Sequence, residues 1–211
     1  MKIGITQRVE LIKSYNERRD CLDQNWFSFF EKLNINVIPI PNSLRSPISF
    51  VKNNDIKGFI LSGGNDLSFF PNANNTAPER DRTEILILDY SKEKGLPVLG
   101  VCRGLQIINF FLNGNQKKSN NHVGVEQKVV ALSEKKIFSD YDKVKCYHNY
   151  VIPIEDLSDD LEAILISNDK CIEAFQHKQL PWIGIMWHPE RETPIRELDI
   201  ELIKTHFANF L

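Results

Sequence analysis

The 211-residue chain lacks any long hydrophobic run and any large excess of one charge. No apolar stretch approaches the roughly 20 residues that a membrane-spanning helix needs. The formal net charge is only −2, so there is no global basic field to attract nucleic acid. These two absences predict that neither a membrane nor a nucleic acid is a partner.

Cysteine is also scarce. The four cysteines, Cys21, Cys102, Cys146 and Cys171, show no CxxC spacing, so neither a zinc site nor a disulfide framework is indicated. The first residues have the pattern of a strand and lack the basic-then-apolar layout of a secretory signal. We therefore expect a reducing, cytoplasmic environment and a protein that needs neither metal nor cofactor.

Repeats, low-complexity segments and linkers are absent too, which favours one domain over residues 1–211. In the first half, apolar strands alternate with helical patterns: strands at Lys2–Thr6, Asn36–Ile40, Gly58–Leu61 and Pro97–Val101, helices at Asp20–Leu33, Glu79–Lys94 and after Cys102. The second half is richer in strands, predicted at Gln127–Leu132, Lys143–Tyr147, Ala163–Ser167, Cys171–Gln176 and Trp182–Trp187. Thr193-Pro194 predicts the N-cap and first position of a final helix.

This order predicts a three-layer, flavodoxin-like α/β domain. Its mostly parallel sheet would carry helices on both faces, with antiparallel additions in the C-terminal half.

The segment Gly100-Val101-Cys102-Arg103-Gly104 is the most informative feature that is present. An apolar strand leads into it and a helical pattern leads out, so Cys102 lies at a sharp strand-to-helix turn, as in a nucleophile elbow. The N–H groups and positive dipole end of the helix would favour the thiolate of Cys102. The alternative is a buried cysteine that closes a strand, but the flanking glycines favour a nucleophile.

A nucleophilic thiolate needs a base and a group that orients the base. Of the five histidines, His188 follows the apolar strand pattern Trp182–Trp187 and is followed by Pro189 and Glu190. A carboxylate two residues away can accept the imidazole N–H and stabilise the imidazolium. The sequence therefore predicts a Cys102–His188–Glu190 triad. The other histidines are assigned to a polar loop (His122), a hairpin turn (His177), a helix surface (His206) and a segment that could line a site (His148).

Acyl-transfer chemistry also needs hydrogen-bond donors for an oxyanion. The backbone N–H of Arg103, directly after the nucleophile, is one candidate. The turn at Gly63 and Gly64 is the second, because it ends a predicted strand and its glycines let backbone N–H groups approach a ligand. The carboxyl ends of parallel strands meet at one sheet edge, so this turn should lie near Cys102.

The motifs Gly-Val-Cys-Arg-Gly-Leu-Gln at 100–106, Leu-Ser-Gly-Gly-Asn-Asp at 61–66 and Trp-His-Pro-Glu at 187–190 resemble the class I glutamine amidotransferase-like superfamily. Within it, the chain is most similar to the free-standing γ-glutamyl hydrolases, the group of γ-glutamyl-γ-aminobutyrate hydrolase. The resemblance implies that Gln106 helps hold the glutamyl group and that the Gly63-Gly64 turn supplies an oxyanion donor. Asn65 and His148 are further candidate substrate contacts.

Two segments depart from the pattern of the family. A Gly-Gly-Thr-type turn is replaced by Asn113–Lys118, and a Tyr-His-His-Gln-type stretch by Tyr147–Tyr150. Both would border the leaving-group side of the site. The resemblance extends to a group member whose leaving group is nucleotide-linked and which serves phosphoramidate modification of bacterial capsule. Candidate phosphate contacts are Lys117, Lys118, Arg80 and Arg82, although such residues are more often solvated surface.

The predicted activity is hydrolysis of a γ-glutamyl amide through a glutamyl thioester on Cys102. The partner is a small-molecule substrate, and the oligomeric state stays open. Two alternatives remain: a glutaminase subunit that passes ammonia to a separate synthetase, and a binding protein that kept the fold and lost the chemistry. A hydrolase of a plain γ-glutamyl amine is a variant of the first prediction.

Overall fold

A computed structural model describes residues 2–132 and 136–208. The first half contains the parallel strands β1 (Lys2–Thr6), β4 (Asn36–Ile40), β5 (Ile56–Leu61) and β6 (Val98–Val101), and a hairpin of β2 (Arg8–Ile12) and β3 (Glu17–Cys21). Its helices are α1 (Asn25–Leu33), α2 (Pro47–Asn53), α3 (Pro78–Lys94) and α4 (Arg103–Phe111).

The second half contains the strands β7 (Lys117–Lys118), β8 (Val123–Ala131), β9 (Lys143–Tyr147), β10 (Tyr150–Val151), β11 (Leu161–Ser167), β12 (Ile172–His177) and β13 (Trp182–Ile185). Its helices are α5 (Lys136–Ser139) and α6 (Glu197–Ala208). The large sheet has the order β4-β1-β5-β6-β13-β12-β11-β8-β9. The first five strands of this order are parallel and the remaining four are antiparallel, as predicted.

Helices cover both faces of the sheet and bury two hydrophobic clusters. One cluster brings α1, α5 and α6 against the sheet through residues such as Phe29, Phe138 and Phe207. The other brings α2, α3 and α4 against the opposite face through Val51, Leu88 and Ile108. The three-layer α/β prediction is therefore confirmed.

The first helix was predicted from Asp20 to Leu33, but the structure has it only from Asn25 to Leu33. The residues up to Cys21 belong to the β2–β3 hairpin, and the carboxylate of Asp20 accepts hydrogen bonds from the backbone N–H and side-chain amide of Asn42 at 2.9 and 2.7 Å. The helix begins at Asn25, whose backbone N–H donates to Asp23 at 3.0 Å. Side-chain pairing with a distant loop thus overrides the local helical pattern.

The prediction that Thr193-Pro194 starts the last helix is wrong, since α6 begins at Glu197. Ile195 packs against the hydrophobic cluster that α1, α5 and α6 form with the sheet. The guanidinium of Arg196 donates to the carbonyl of Lys143 at 3.1 Å. These contacts hold the segment in a non-helical path. The prediction of a surface position for His206 is also wrong, because its ring is half-buried and lies 3.1 Å from the carbonyl oxygen of Val98.

The carboxyl ends of β1, β5, β6 and β13 meet at one edge of the sheet, as the register of these strands requires. Among the helices of residues 2–132 and 136–208, none has the length and apolar character needed to cross a membrane. The predicted triad and the Gly63-Gly64 turn lie at this common edge.

Candidate active site

Cys102 occupies the turn between β6 and α4. Its backbone has φ 53° and ψ −104°, a conformation that a residue with a side chain rarely adopts. The backbone N–H of Cys102 donates to the carbonyl of Ile185 at 2.8 Å, which ties the turn to β13. The side chain is almost buried and sits at the N-terminus of α4, where unpaired N–H groups favour an anion.

His188 and Glu190 follow β13, the strand that pairs in parallel with β6. His188 Nδ1 lies 2.7 Å from Glu190 Oε1, and both side chains are buried. Because a carboxylate only accepts, Nδ1 is the protonated nitrogen and Nε2 is left for Cys102. Burial alone would lower the pKa of His188, but the charges of Cys102 and Glu190 and its hydrogen bonds to both raise it to about 9. The three predicted residues thus lie together, with a geometry suited to a thiolate–imidazolium pair.

We expect the hydrolysis predicted from the sequence to slow above about pH 9, where His188 would lose the proton that a leaving nitrogen takes. The Glu190 carboxylate favours the imidazolium, so Glu190→Gln should lower this pKa and move the alkaline limb by about one unit or more toward neutrality. The measurement is kcat/KM against pH. Glu192→Gln is the matched control, because Glu192 pairs with Lys145 at 3.2 Å rather than with His188. If the alkaline limb fell at the same pH in Glu190→Gln and in Glu192→Gln, Glu190 would not be the carboxylate that sets the pKa of His188.

The glycine turn after β5 lies directly against this pair. A Cβ on Gly63 would come within 2.4 Å of His188 Cε1 and 3.5 Å of Cys102 Cβ. Gly64 has φ +84°, a left-handed conformation that glycine adopts without strain. The turn therefore lies beside the predicted nucleophile and base, and its glycines are required by close approach and by backbone conformation.

Arg80 holds this turn in place through hydrogen bonds to its backbone carbonyl groups. Its buried guanidinium donates to the carbonyl oxygens of Ser62, Gly63 and Gly64, the last two at 3.0 and 2.6 Å. Its Nε donates to Glu84 at 2.9 Å. The candidate role of Arg80 as a phosphate contact is therefore wrong, since all of its donors face inward and its side chain is fully buried.

The side chain of Arg103 is a second part of this buried network. Its guanidinium pairs with Asp81 and Glu84 of α3, and Glu84 also accepts from Thr6 at 2.7 Å. Burial opposes the ionisation of Glu84, but the two arginines lower its pKa. The network joins α3, α4 and the glycine turn, and holds the guanidinium of Arg103 in ion pairs with α3.

The three predicted substrate contacts line one cavity of about 260 Å³ together with Cys102. Gln106 Nε2 donates to the carbonyl of Tyr150 at 3.1 Å, and His148 Nδ1 lies 2.8 Å from the same oxygen. The amide of Asn65 is used differently: it accepts from Val9 N–H at 2.8 Å and donates to Val9 C=O at 2.9 Å. Asn65 thus holds the β2–β3 hairpin against the site. Substrate contact by these residues stays a prediction.

Two arginines at the cavity were not predicted from the sequence. Arg8 and Arg191 line this cavity and also a neighbouring one of about 230 Å³ on the other side of His188. Arg8 follows β1 and Arg191 follows Glu190 directly. The rule that parallel strands share one carboxyl edge, applied to every strand, would have found both.

Of the other predicted cations, two have protein partners outside the cavity. The guanidinium of Arg82 donates to the carbonyl oxygens of Leu44 and Arg45 at 3.1 and 2.8 Å. Lys117 lies 3.2 Å from Glu155 and 3.0 Å from Asp156. Neither is a lining residue of the two cavities beside His188, and neither is Lys118.

The fold and the cysteine–histidine–glutamate site define a class I glutamine amidotransferase-like protein, as the sequence motifs predicted. A family model described as Peptidase C26 matches residues 2–190, so the chain belongs to this family. It is 39% identical over 209 residues to a gamma-glutamyl-CDP-amidate hydrolase of Campylobacter jejuni, covering 99% of this chain and 98% of that protein.

More distant relatives support the same class. The chain is 30% identical over 140 residues to one subunit of the glutamine-hydrolyzing GMP synthase of Methanococcus vannielii, covering 66% of this chain and 67% of that protein. A crystal structure of a glutamine amidotransferase from Thermotoga maritima superposes with a TM-score of 0.67 at 18% identity, covering 99% of this chain and 84% of that one. The latter match shows the shared fold.

Proposed function

We propose that this chain hydrolyses a γ-glutamyl amide and releases glutamate, with Cys102 as the nucleophile. The observation that carries this proposal is the convergence of Cys102, at a strained strand–helix turn, with the His188–Glu190 pair and the Gly63-Gly64 turn. Each element of an acyl-transfer site has a candidate within this group.

In the proposed reaction, the Cys102 thiolate attacks the γ-carbonyl carbon. The oxyanion is held by backbone N–H groups of Arg103 and of the glycine turn. The C–N bond then breaks as His188 gives its proton to the leaving nitrogen, which forms a glutamyl thioester. His188 next takes a proton from water, and the resulting attack releases glutamate and restores the thiolate. Glu190 orients His188 throughout.

We further propose that the substrate is γ-glutamyl-CDP-amidate, so that the second product is cytidine diphosphoramidate for capsule modification. Similarity to the Campylobacter protein supports this choice, and so do two arginines at the cavity. Arg8 Nε is buried without a hydrogen-bond partner among the described residues, and Arg8 Nη2 pairs with the exposed Glu10. Arg191 Nε lies 3.6 Å from Asp23 and 3.7 Å from Glu190, both longer than a direct hydrogen bond. Both guanidinium groups can therefore turn to a diphosphate.

The four cysteines are free in the structure, which supports a reducing, cytoplasmic location for this reaction.

A second candidate function is a glutaminase subunit that supplies ammonia to a separate synthetase. Similarity to the Methanococcus GMP synthase subunit favours it.

The experiment is a comparison of kcat/KM for γ-glutamyl-CDP-amidate, γ-glutamyl-γ-aminobutyrate and glutamine with the purified chain. We expect the nucleotide-linked amide to have the highest value by at least about tenfold, a difference of about 1.4 kcal/mol in transition-state binding. A higher kcat/KM for γ-glutamyl-γ-aminobutyrate than for the other two substrates would refute the nucleotide assignment. Fastest turnover of glutamine would favour the glutaminase.

Arg191→Gln tests the diphosphate contact. Loss of a hydrogen bond to a charged group costs about 1.5–3 kcal/mol, so kcat/KM for γ-glutamyl-CDP-amidate should fall about 10- to 100-fold. The value for glutamine should stay within about twofold, because its leaving group is ammonia and carries no phosphate or other anion for Arg191 to contact. Arg82→Gln, which removes a guanidinium outside the two cavities, is the control. Equal losses for both substrates would show that Arg191 does not read the diphosphate.

A further inference from the structure

A second group of reactive side chains lies behind the wall of the catalytic cavity. It consists of His122, Cys146, His148 and Glu173, all of them buried. One potential ligand atom of each side chain lies within 4.8 Å of the corresponding atoms of the other three. The proposed acyl-transfer steps use none of these atoms, although His148 also lines the catalytic cavity.

In each of the two imidazole rings, one nitrogen has a hydrogen-bond partner outside the cluster and the other nitrogen has none. His122 Nε2 lies 2.8 Å from a carboxylate oxygen of Asp169, and His148 Nδ1 lies 2.8 Å from the carbonyl of Tyr150. The opposite nitrogens, His122 Nδ1 and His148 Nε2, are buried and have no hydrogen-bond partner in the described part of the chain. Histidines that bind metal have this arrangement, with the second ring nitrogen bonded to a carboxylate or a backbone carbonyl.

Two of the distances inside the cluster already match those of a tetrahedral ion. The Glu173 carboxylate lies 3.7 Å from His122 Nδ1 and 3.7 Å from Cys146 Sγ. Zinc bonds of about 2.0–2.3 Å in tetrahedral geometry separate the ligand atoms by about 3.3–3.8 Å. The side chains would need only small adjustments to close around an ion.

We propose that His122 Nδ1, Cys146 Sγ, His148 Nε2 and the Glu173 carboxylate bind a zinc ion. Sulfur, imidazole and carboxylate ligands are the set that zinc prefers, and four protein ligands make a closed, structural site. Zinc is bound by the thiolate form of Cys146 and the carboxylate form of Glu173, so both groups lose any proton that they carry on binding.

The zinc ion would fix the wall of the substrate cavity. Cys146 and His148 flank Tyr147, and this segment lines the cavity on the side where the sequence departs from the family pattern. Glu173 lies on β12, inside the sheet. The ion therefore joins the cavity wall to the sheet. Because the four ligands come from three separate segments without CxxC spacing, the sequence shows no zinc motif.

The test measures metal in the purified full-length chain. We expect about one zinc ion per chain by elemental analysis. After chelation and addition of Co²⁺, we expect the absorption bands of a tetrahedral site and a thiolate-to-cobalt charge-transfer band. Less than about 0.1 zinc per chain together with no cobalt spectrum would overturn the proposal.

Cysteine variants locate the ion. Cys146→Ser should remove the charge-transfer band, whereas Cys171→Ser should keep it. The reverse result would place the ion at an adjacent group of His122, Asp169 and Cys171 and overturn the proposal. Cys102→Ala should also keep the band, and its loss there would place the metal at the catalytic thiol instead.

Asp169→Asn gives a readout that does not depend on a ligand variant folding. It removes the carboxylate that orients His122 and should weaken zinc affinity about 10- to 100-fold, measured by competition with a chelating dye. Unchanged affinity would contradict this orientation of His122 toward the ion. Circular dichroism checks that each variant is folded.

Discussion

Cys102→Ala is expected to abolish turnover of every γ-glutamyl amide while the chain stays folded. Without the sulfur no thioester can form, and the remaining oxyanion donors and binding groups cannot replace a nucleophile. By analogy with the loss of a nucleophile from other triads, kcat should fall by at least about 10⁴-fold. Because the substitution removes one atom from an almost buried side chain, the free energy of unfolding should change by only about 1 kcal/mol.

The measurement pairs steady-state kinetics with urea unfolding of the same preparations. Cys171→Ala is the matched control, since Cys171 is another buried free cysteine but does not line either cavity beside His188. We expect the control to keep its activity. Activity of the Cys102 variant within tenfold of the unmodified protein would show that another residue is the nucleophile.

Gly104→Ala is expected to have the largest effect on stability of any single methyl group at the site. Helix propensity alone predicts a gain of about 0.5–1 kcal/mol, because alanine replaces glycine inside α4. Packing predicts the opposite. A Cβ at this position would lie 1.9 Å from the backbone carbonyl oxygen of Leu61 and 2.7 Å from its carbonyl carbon.

The carbonyl group of Leu61 cannot move easily, since it belongs to β5 in the parallel part of the sheet. The clash must be relieved by moving α4 away from β5, at a net cost of about 3 kcal/mol or more. Movement of α4 also displaces Cys102 and the N–H of Arg103 relative to His188 and the glycine turn, so the activity of the folded fraction should fall as well.

Chemical unfolding measures the effect on stability. Gly95→Ala is the comparison, because Gly95 has φ +63° and a Cβ there would meet nothing within 4 Å, so only backbone strain of about 1–2 kcal/mol is expected. A Gly104 variant as stable as the unmodified protein would contradict the close approach of α4 to β5.

The predicted triad could be found from the sequence because its residues obey one rule. Cys102 and His188 each follow an apolar strand, and parallel strands of one sheet end at the same edge. The glycine turn after Leu61 follows the same rule, so its nearness to Cys102 was predictable before any contact was known.

Other parts of the site depend on contacts between residues far apart in the chain. The inward orientation of Arg80 is set by Ser62 and the glycine turn, and nothing around position 80 in the sequence indicates it. His122 was assigned to a polar loop, yet the turn that carries it buries its ring completely against His148 and Asp169. Local polarity predicts exposure, whereas long-range pairing decides burial.

The β2–β3 hairpin was missed for a related reason. Charged residues dominate β3, so it shows no apolar alternation, and its neighbour α1 extends a helical pattern back toward Asp20. The hairpin is held by its own ladder and by the amide of Asn65, which binds both backbone groups of Val9. That contact brings Arg8 to the cavity, and the proposed diphosphate site depends on it.

The central claim is that Cys102 carries the glutamyl group during catalysis. The most direct test mixes the protein with γ-glutamyl-CDP-amidate, quenches the reaction in acid within one turnover and maps the peptides by mass spectrometry. We predict one added glutamyl group on the peptide that contains Cys102, absent from Cys102→Ala and removed by hydroxylamine. Turnover with no adduct on Cys102, or with the glutamyl group on another residue, would contradict the account.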